Sequence, residues 1–165
     1  MERTRRRKVE LAERTKNESL RFQVEWGIQS LGLELTDDVR MRIDDELRIL
    51  QNLGLAGNLL TLKEIVDGVQ RELNAMPEPL KGDLAGSFVA YCLGIVTVSP
   101  LERDLLKPVS GNCLPLQLTL YYDNEIRNEV VDWVKAHGYR EVKTRLGQPI
   151  LKMDKMVVEF KRVVK

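Results

Sequence analysis

The sequence is short of the residues that most often carry chemistry. It has one histidine, His137, and two cysteines, Cys92 and Cys113, among 165 residues. Zinc sites take three or four His, Cys or carboxylate ligands at close spacing, and this chain has no such set to offer. Two distant cysteines give no disulfide framework. A Cys–His or Ser–His catalytic pair would have to recruit His137. That residue sits in Lys135-Ala136-His137-Gly138, which reads as a helix end, where a side chain able to carry positive charge complements the helix dipole. No apolar run approaches the ~20 residues needed to span a bilayer. The basic start, Met1 to Lys8, is not followed by the apolar stretch of a secretory signal. The expectation is a cytoplasmic protein that is not attached to a membrane.

Charge of one sign is also lacking. Twenty-six basic and 25 acidic residues leave a net charge of +1, so the molecule as a whole is not biased toward nucleic acid. The distribution is uneven: the first eight residues hold five basic groups and one acid, and the tail Lys161-Arg162-Val163-Val164-Lys165 is basic. Either end could touch phosphates, although frayed, solvated termini account for both.

What is present is a helical pattern followed by a β pattern. The first ~30 residues read as a helix with a frayed basic start, docked by its second half, where Leu20, Phe22, Val24, Trp26 and Ile28 crowd together. Leu11 is more isolated. Thr36 makes a helix N-cap, with Asp37 and Asp38 in the first turn, where the dipole favours anions. Val39, Ile43, Leu47 and Leu50 recur every three to four residues, and Gly54 supplies the stop. A further helix from about Asn58 carries the stripe Leu59, Leu62, Ile65/Val66, Val69 and Leu73, with Pro77 and Pro79 making a loop after it. Ala85 to Gly94 reads as a small-residue helix. Leu116 to Tyr122 alternate as a half-buried strand, with Leu116, Leu118 and Leu120 on one side and Gln117, Thr119 and Tyr121 on the other. Asp123 can cap the next helix, whose inward residues are Ile126, Val130 and Trp133/Val134, ending at Gly138. Three β-like runs, Val142–Leu146, Ile150–Met153 and Met156–Val164, are separated by Gly147-Gln148-Pro149 and Asp154-Lys155. The expected architecture is one α+β domain. A basic helical arm (1–24) precedes a mainly helical segment (25–138), and a β-rich tail (139–165) completes a small, mostly antiparallel sheet.

Several of these segments resemble, in order, the catalytic core of the bacterial DNA polymerase III alpha-subunit family. Arg42-Ile43-Asp44-Asp45-Glu46-Leu47, running on to Leu53-Gly54-Leu55-Ala56-Gly57, is similar to that family's R-L-x-x-E-L-x-V-I-x-x-M-G-F-x-x-Y. Lys81 to Ile95 resembles R-G-S-A-A-G-S-L-V-A-Y-x-L-G-I, and its Ala85–Ile95 block is the specific part. Pro100-Leu101 follows as the family's D-P-L does, and Arg127-Asn128-Glu129-Val130-Val131 matches R-x-E-V-I. The resemblance covers about two-thirds of the chain and implies a palm, or nucleotidyltransferase-like, fold.

It also implies a site. In the family the Gly-Ser turn and its arginine cradle nucleotide phosphates, which makes Lys81, Gly82, Gly86 and Ser87 the phosphate-binding candidates. A strand with alternating aspartates holds two Mg²⁺ ions for nucleotidyl transfer. The corresponding positions here are Gln117, Thr119 and Tyr121, which offer Mg²⁺ no anionic oxygen. Asp83 stands where the turn has serine, and Lys81 replaces the arginine with a point charge.

The resemblance therefore implies a catalytically degenerate palm module that needs no cofactor. Its partners would be DNA, a nucleotide or a replication protein. Three other readings stand beside it. The scaffold could be recycled for protein–protein contact or self-association. A residual nucleotidyltransferase could use relocated Mg²⁺ ligands drawn from Asp123, Glu125, Asp154 and Glu159, although Asp123 also serves as a helix cap and Glu125 as a first-turn acid. A metal-dependent nuclease could be built on the E-x-K strand Val157-Val158-Glu159-Phe160-Lys161, for which a cross-strand charge pair is the plainer account.

Overall fold

The structure is a computed structural model. It describes the backbone of residues 2–82, 87–96, 115–139, 142–145 and 148–163, and the side chains of 11–77, 87–96, 115–139 and 149–163. Gly86, Asp83, Pro100-Leu101 and Cys113 lie outside the described residues.

The chain folds as α+β. Helix α1 (Glu2–Leu31) is followed by α2 (Asp37–Asn52) and α3 (Ala56–Leu73). In α1 the residues Leu20, Val24 and Ile28, each four apart, are buried, whereas Phe22 and Trp26 are exposed. The crowding of apolar residues along this segment thus splits into an inner stripe and an outer ridge. Helix α2 starts as its sequence dictates: Thr36 Oγ1 accepts a bond from the Val39 N–H at 3.2 Å. It ends beside Gly54, whose φ of +71° suits glycine. The α3 stripe is buried from Leu59 to Val69. Asn74, in the left-handed region at φ 52°, ends α3 three residues before Pro77.

The loop expected at Pro77 and Pro79 ends at Pro77, and Pro79 falls inside a strand, β1 (Glu78–Gly82). It lies at a sheet edge, the place in a sheet where proline is tolerated because one side of the backbone is unpaired. The small-residue helix is also shorter than its pattern: α4 spans Phe88–Cys92, because Ser87 caps it by accepting from the Ala90 N–H at 3.1 Å.

Strand β2 (Leu116–Tyr122) alternates as expected, and the alternation runs one step further, with Tyr122 also buried. Helix α5 (Arg127–Ala136) follows. Asp123 does not cap it with its carboxylate. Its backbone carbonyl accepts from the Ile126 and Arg127 N–H groups, each at 3.0 Å, and Ile126 occupies the N-cap position with no side-chain cap bond. At the other end of α5, Trp133 stacks on His137 with ring centroids 3.9 Å apart. The His137 Nδ1 lies 2.8 Å from the Trp133 carbonyl, so this histidine finishes a helix.

Strands β3 (Val142–Arg145), β4 (Gln148–Lys152) and β5 (Met156–Arg162) complete one sheet in the order β1-β2-β5-β4-β3. Three of its four pairings are antiparallel, and β2–β5 is parallel. The tail is therefore integral to the sheet: β5 inserts between β2 and β4 and pairs with β2 along all seven of its residues. Leu116, Leu118, Leu120, Tyr122, Met156, Val158 and Phe160 point into the core shared with the helices. Among the described residues no helix is long and apolar enough to cross a membrane.

Candidate functional site

The start of α4 is held by a buried carboxylate. Glu46, on α2, is fully buried and accepts three hydrogen bonds, from Ser87 Oγ at 2.8 Å, the Phe88 N–H at 3.1 Å and the Val89 N–H at 3.0 Å. Arg42, one turn earlier on α2, brings its Nε to 3.6 Å from the same carboxylate. Its guanidinium lies 4.8 Å from the centre of the Phe88 ring, within cation–π range. A buried carboxylate is tolerable only when donors and a counter-charge surround it, and here it has both.

This cluster has a direct consequence for Ser87. The side chain is buried, donates to Glu46 and accepts from Ala90, so its hydroxyl is used inside the fold. The two backbone N–H groups that open α4 are likewise taken. Replacing Ser87 with alanine removes a cap and a charge-assisted bond, and should cost about 2 kcal/mol in a denaturant melt. Burial, with the nearby Glu46 and Glu25 charges, also pushes the Cys92 thiol up to about 12.

Glu46 is a site residue that pattern reading passed over. Its signal is present in the sequence, because it lies three residues after Ile43 and four before Leu50, on the apolar stripe of α2. A lone carboxylate on such a stripe must find buried donors.

The other candidates meet on the sheet. Lys81 pairs in register with Thr119, and Gly82 with Leu118, which sets the Lys81-Gly82 segment alongside β2. Across β2 on its other side, Thr119 is in register with Glu159 and Tyr121 with Lys161. Gln117, Thr119 and Tyr121 occupy the face of β2 away from the core, Gln117 exposed and the other two half-buried. The Glu159 carboxylate on that face lies 3.9 Å from Lys161 Nζ on its own strand. Asp154 is exposed in the turn before β5 and does not join this group. Among the described residues, no three His, Cys, Asp or Glu side chains are grouped so as to hold a metal ion.

An open groove of about 650 Å³ runs along α2 between Asp38 and Ile49. Its charged walls are mixed, with Asp38, Asp45 and Glu46 set against Arg42 and Arg48. Arg48 is moreover paired with Asp45. This balance favours no single charge class of ligand.

Comparison with known proteins places the helical part of the fold. The family model for the bacterial DNA polymerase III alpha NTPase domain matches residues 12–108. DNA polymerase III subunit alpha of Halalkalibacterium halodurans is 32% identical over 108 residues, which is 63% of this chain and 10% of that protein. The Aquifex aeolicus subunit is 24% identical over 130 residues, 74% of this chain and 11% of the relative. That of Staphylococcus aureus is 33% identical over 75 residues, 45% of this chain and 7% of the relative. The chain thus spans about a tenth of the length of the curated relatives it matches. The family-model match contains the Glu46–Ser87 cluster and the Lys81-Gly82 segment, and it ends before β2. By this match the chain belongs to the bacterial DNA polymerase III alpha family.

Proposed function

We propose that this chain is a palm-derived module that has kept its scaffold and a phosphate contact but lost catalysis, and that it binds a nucleotide or DNA in replication. The observation that carries the reading is the outer face of β2. There Gln117, Thr119 and Tyr121, the positions that the resemblance matches to the family's aspartates, carry no charge, and Glu159, in register with Thr119, is beside Lys161. Two Mg²⁺ ions in octahedral oxygen shells need several anionic ligands at short range. Among the described residues Glu159, already facing an ammonium, does not supply them.

With Ser87 and the start of α4 occupied by Glu46, phosphate contact falls to Lys81 and Gly82. Lysine binds phosphate as a point charge, and glycine lets the backbone approach closely. Titration calorimetry with a nucleoside triphosphate, and separately with a primer–template duplex at low and moderate salt, tests this. Binding should weaken about tenfold or more in Lys81→Ala, the loss expected when a charge-assisted contact is removed. No binding of either ligand by the native protein would remove the nucleic-acid reading. It would leave a scaffold reused for protein contact or self-association.

A residual nucleotidyltransferase has two registers in its favour, Glu159 with Thr119 and Glu78 with Tyr121. It would require Mg²⁺ to displace Lys161 from the Glu159 carboxylate.

A further inference from the structure

Helix α1 carries two apolar stripes on opposite sides. Leu20, Val24 and Ile28 are buried in the core, whereas Leu11, Phe22 and Trp26 are 60%, 66% and 61% exposed. Phe22 and Trp26 each lie two residues after a member of the buried stripe, which turns them to the far side of the helix. Leu11 stands about three turns before Phe22 and so falls on the same line. One apolar stripe suffices to dock a helix. A second one, built from large side chains held in water, is the mark of an interaction surface.

Between these large residues the ridge has short ones, Thr15 and Ser19, both exposed. The Thr15 hydroxyl donates to the Leu11 carbonyl at 2.8 Å, so it is satisfied within the helix and can be covered at little cost. Immediately before Thr15, Ser19, Phe22 and Trp26 come Arg14, Glu18, Arg21 and Glu25. These four form a charged row along one flank of the ridge, with signs that alternate from plus to minus. Read in the opposite direction, the row alternates from minus to plus. It is therefore complementary to a second copy of itself laid antiparallel, Arg14 opposite Glu25 and Glu18 opposite Arg21. Arg14, Glu18 and Arg21 are exposed. Glu25 is half-buried and already holds Arg40 of α2 at 2.7 Å, so the inner Glu18–Arg21 pairs carry most of the discrimination.

We propose that α1 docks against α1 of a second copy of this chain, antiparallel, about a two-fold axis beside Ser19 and Leu20. Trp26 enters the hollow among Leu11, Arg14, Thr15 and Glu18 of the other copy. Phe22 enters the next hollow, among Thr15, Glu18, Ser19 and Phe22. The register that seats one aromatic ring seats the other, and within half a turn it also aligns the four charge pairs. It brings Arg14 to the face of the opposite indole, where a guanidinium is favourable. Because the contact is isologous, each of these interactions occurs twice along ~22 Å of helix. Nucleic acid and anionic membrane each present charge of one sign, which the alternating flank does not match. The dimer is independent of the Lys81-Gly82 segment and of any ligand bound there.

Sedimentation velocity of the full chain, from sub-micromolar to high-micromolar concentration, tests this. The native protein should move from the mass of one chain, 19.0 kDa, toward twice that mass as concentration rises. Phe22→Ser and Trp26→Ser alter exposed side chains, so both should keep the native circular dichroism spectrum. Self-association should weaken about tenfold or more in each. Glu18→Arg and Arg21→Glu should each stay monomeric where the native protein dimerises, since like charges then meet across the axis. Mixed together, these two variants should associate, because each supplies the sign that the other lacks. That rescue separates a contact between copies from an effect within one fold. A native protein of one-chain mass at every concentration overturns the proposal. So does a dimer that survives both Phe22→Ser and Trp26→Ser, or a pair of charge variants that associate no better mixed than alone. A chain that stays monomeric but binds phosphatidylserine vesicles through Trp26 also overturns it, and assigns the ridge to a membrane surface.

Discussion

Glu46→Ala should destabilise the protein by about 3–5 kcal/mol, the largest effect expected of any single polar substitution in the described core. The substitution removes the acceptor of three hydrogen bonds and leaves the Ser87 hydroxyl and two backbone N–H groups buried without partners. It also deprives Arg42 of the carboxylate 3.6 Å from its Nε. Each orphaned buried donor costs about 1–3 kcal/mol, and partial relaxation keeps the sum below full additivity. Glu46→Gln, which retains one acceptor oxygen, should fall between the native protein and alanine. Urea unfolding measures both. A loss below about 1 kcal/mol for alanine would mean that water or another group reaches those donors.

The second large effect is expected at Gly27. A Cβ built there would stand 1.9 Å from the Cys92 carbonyl oxygen and 2.7 Å from its carbon, both backbone atoms. Glycine inside a helix is ordinarily a liability, and replacing it with alanine gains up to about 1 kcal/mol. At this position the sign reverses, because α1 would have to retreat from α4, and a loss of about 3 kcal/mol is expected. Gly57→Ala provides the contrast. Its added methyl meets only the flexible Lys16 side chain, at 3.2 Å, so the change should be neutral or mildly stabilising. If Gly27→Ala unfolds at the same urea concentration as the native protein, the close approach of α1 to α4 is wrong.

These two positions show where local pattern was informative and where it stopped. Thr36, the apolar stripe of α2 and the alternation of β2 are set by neighbours three, four or two residues apart, and all three appear as the sequence dictates. The contact of Gly27 with Cys92 joins residues 65 positions apart, and no local period encodes it. Strand β1 was hidden for a related reason. Pro79 reads as loop, and only the pairing with β2 gives that backbone a ladder to join. The parallel insertion of β5 next to β2 is likewise a tertiary choice, although the β character of Met156–Val164 was plain from its residues.

The site divides along the same line. The matching of Gln117, Thr119 and Tyr121 to the family's aspartate positions rests on resemblance, and the structure adds that the three share the outer face of β2. The role of Glu46 was visible only in part. Its place on an apolar stripe marks it as buried, but the donors that satisfy it lie 41 to 43 residues further along. The bond from Arg162 to Asn128 depends on β5 lying beside β2, which the sequence did not disclose. The Glu159–Lys161 proximity lies within one strand, whereas the E-x-K run suggested a cross-strand charge pair.

The central claim is that the palm scaffold persists here without nucleotidyl transfer, and primer extension tests it most directly. The purified chain is incubated with a primer–template and all four deoxynucleoside triphosphates, with Mg²⁺ and then with Mn²⁺, under single-turnover conditions. The expected result is no extended primer above the protein-free control in either metal. Metal-dependent extension that disappears in Glu159→Gln would contradict the claim, and would establish Glu159 as a ligand that Mg²⁺ can take from Lys161.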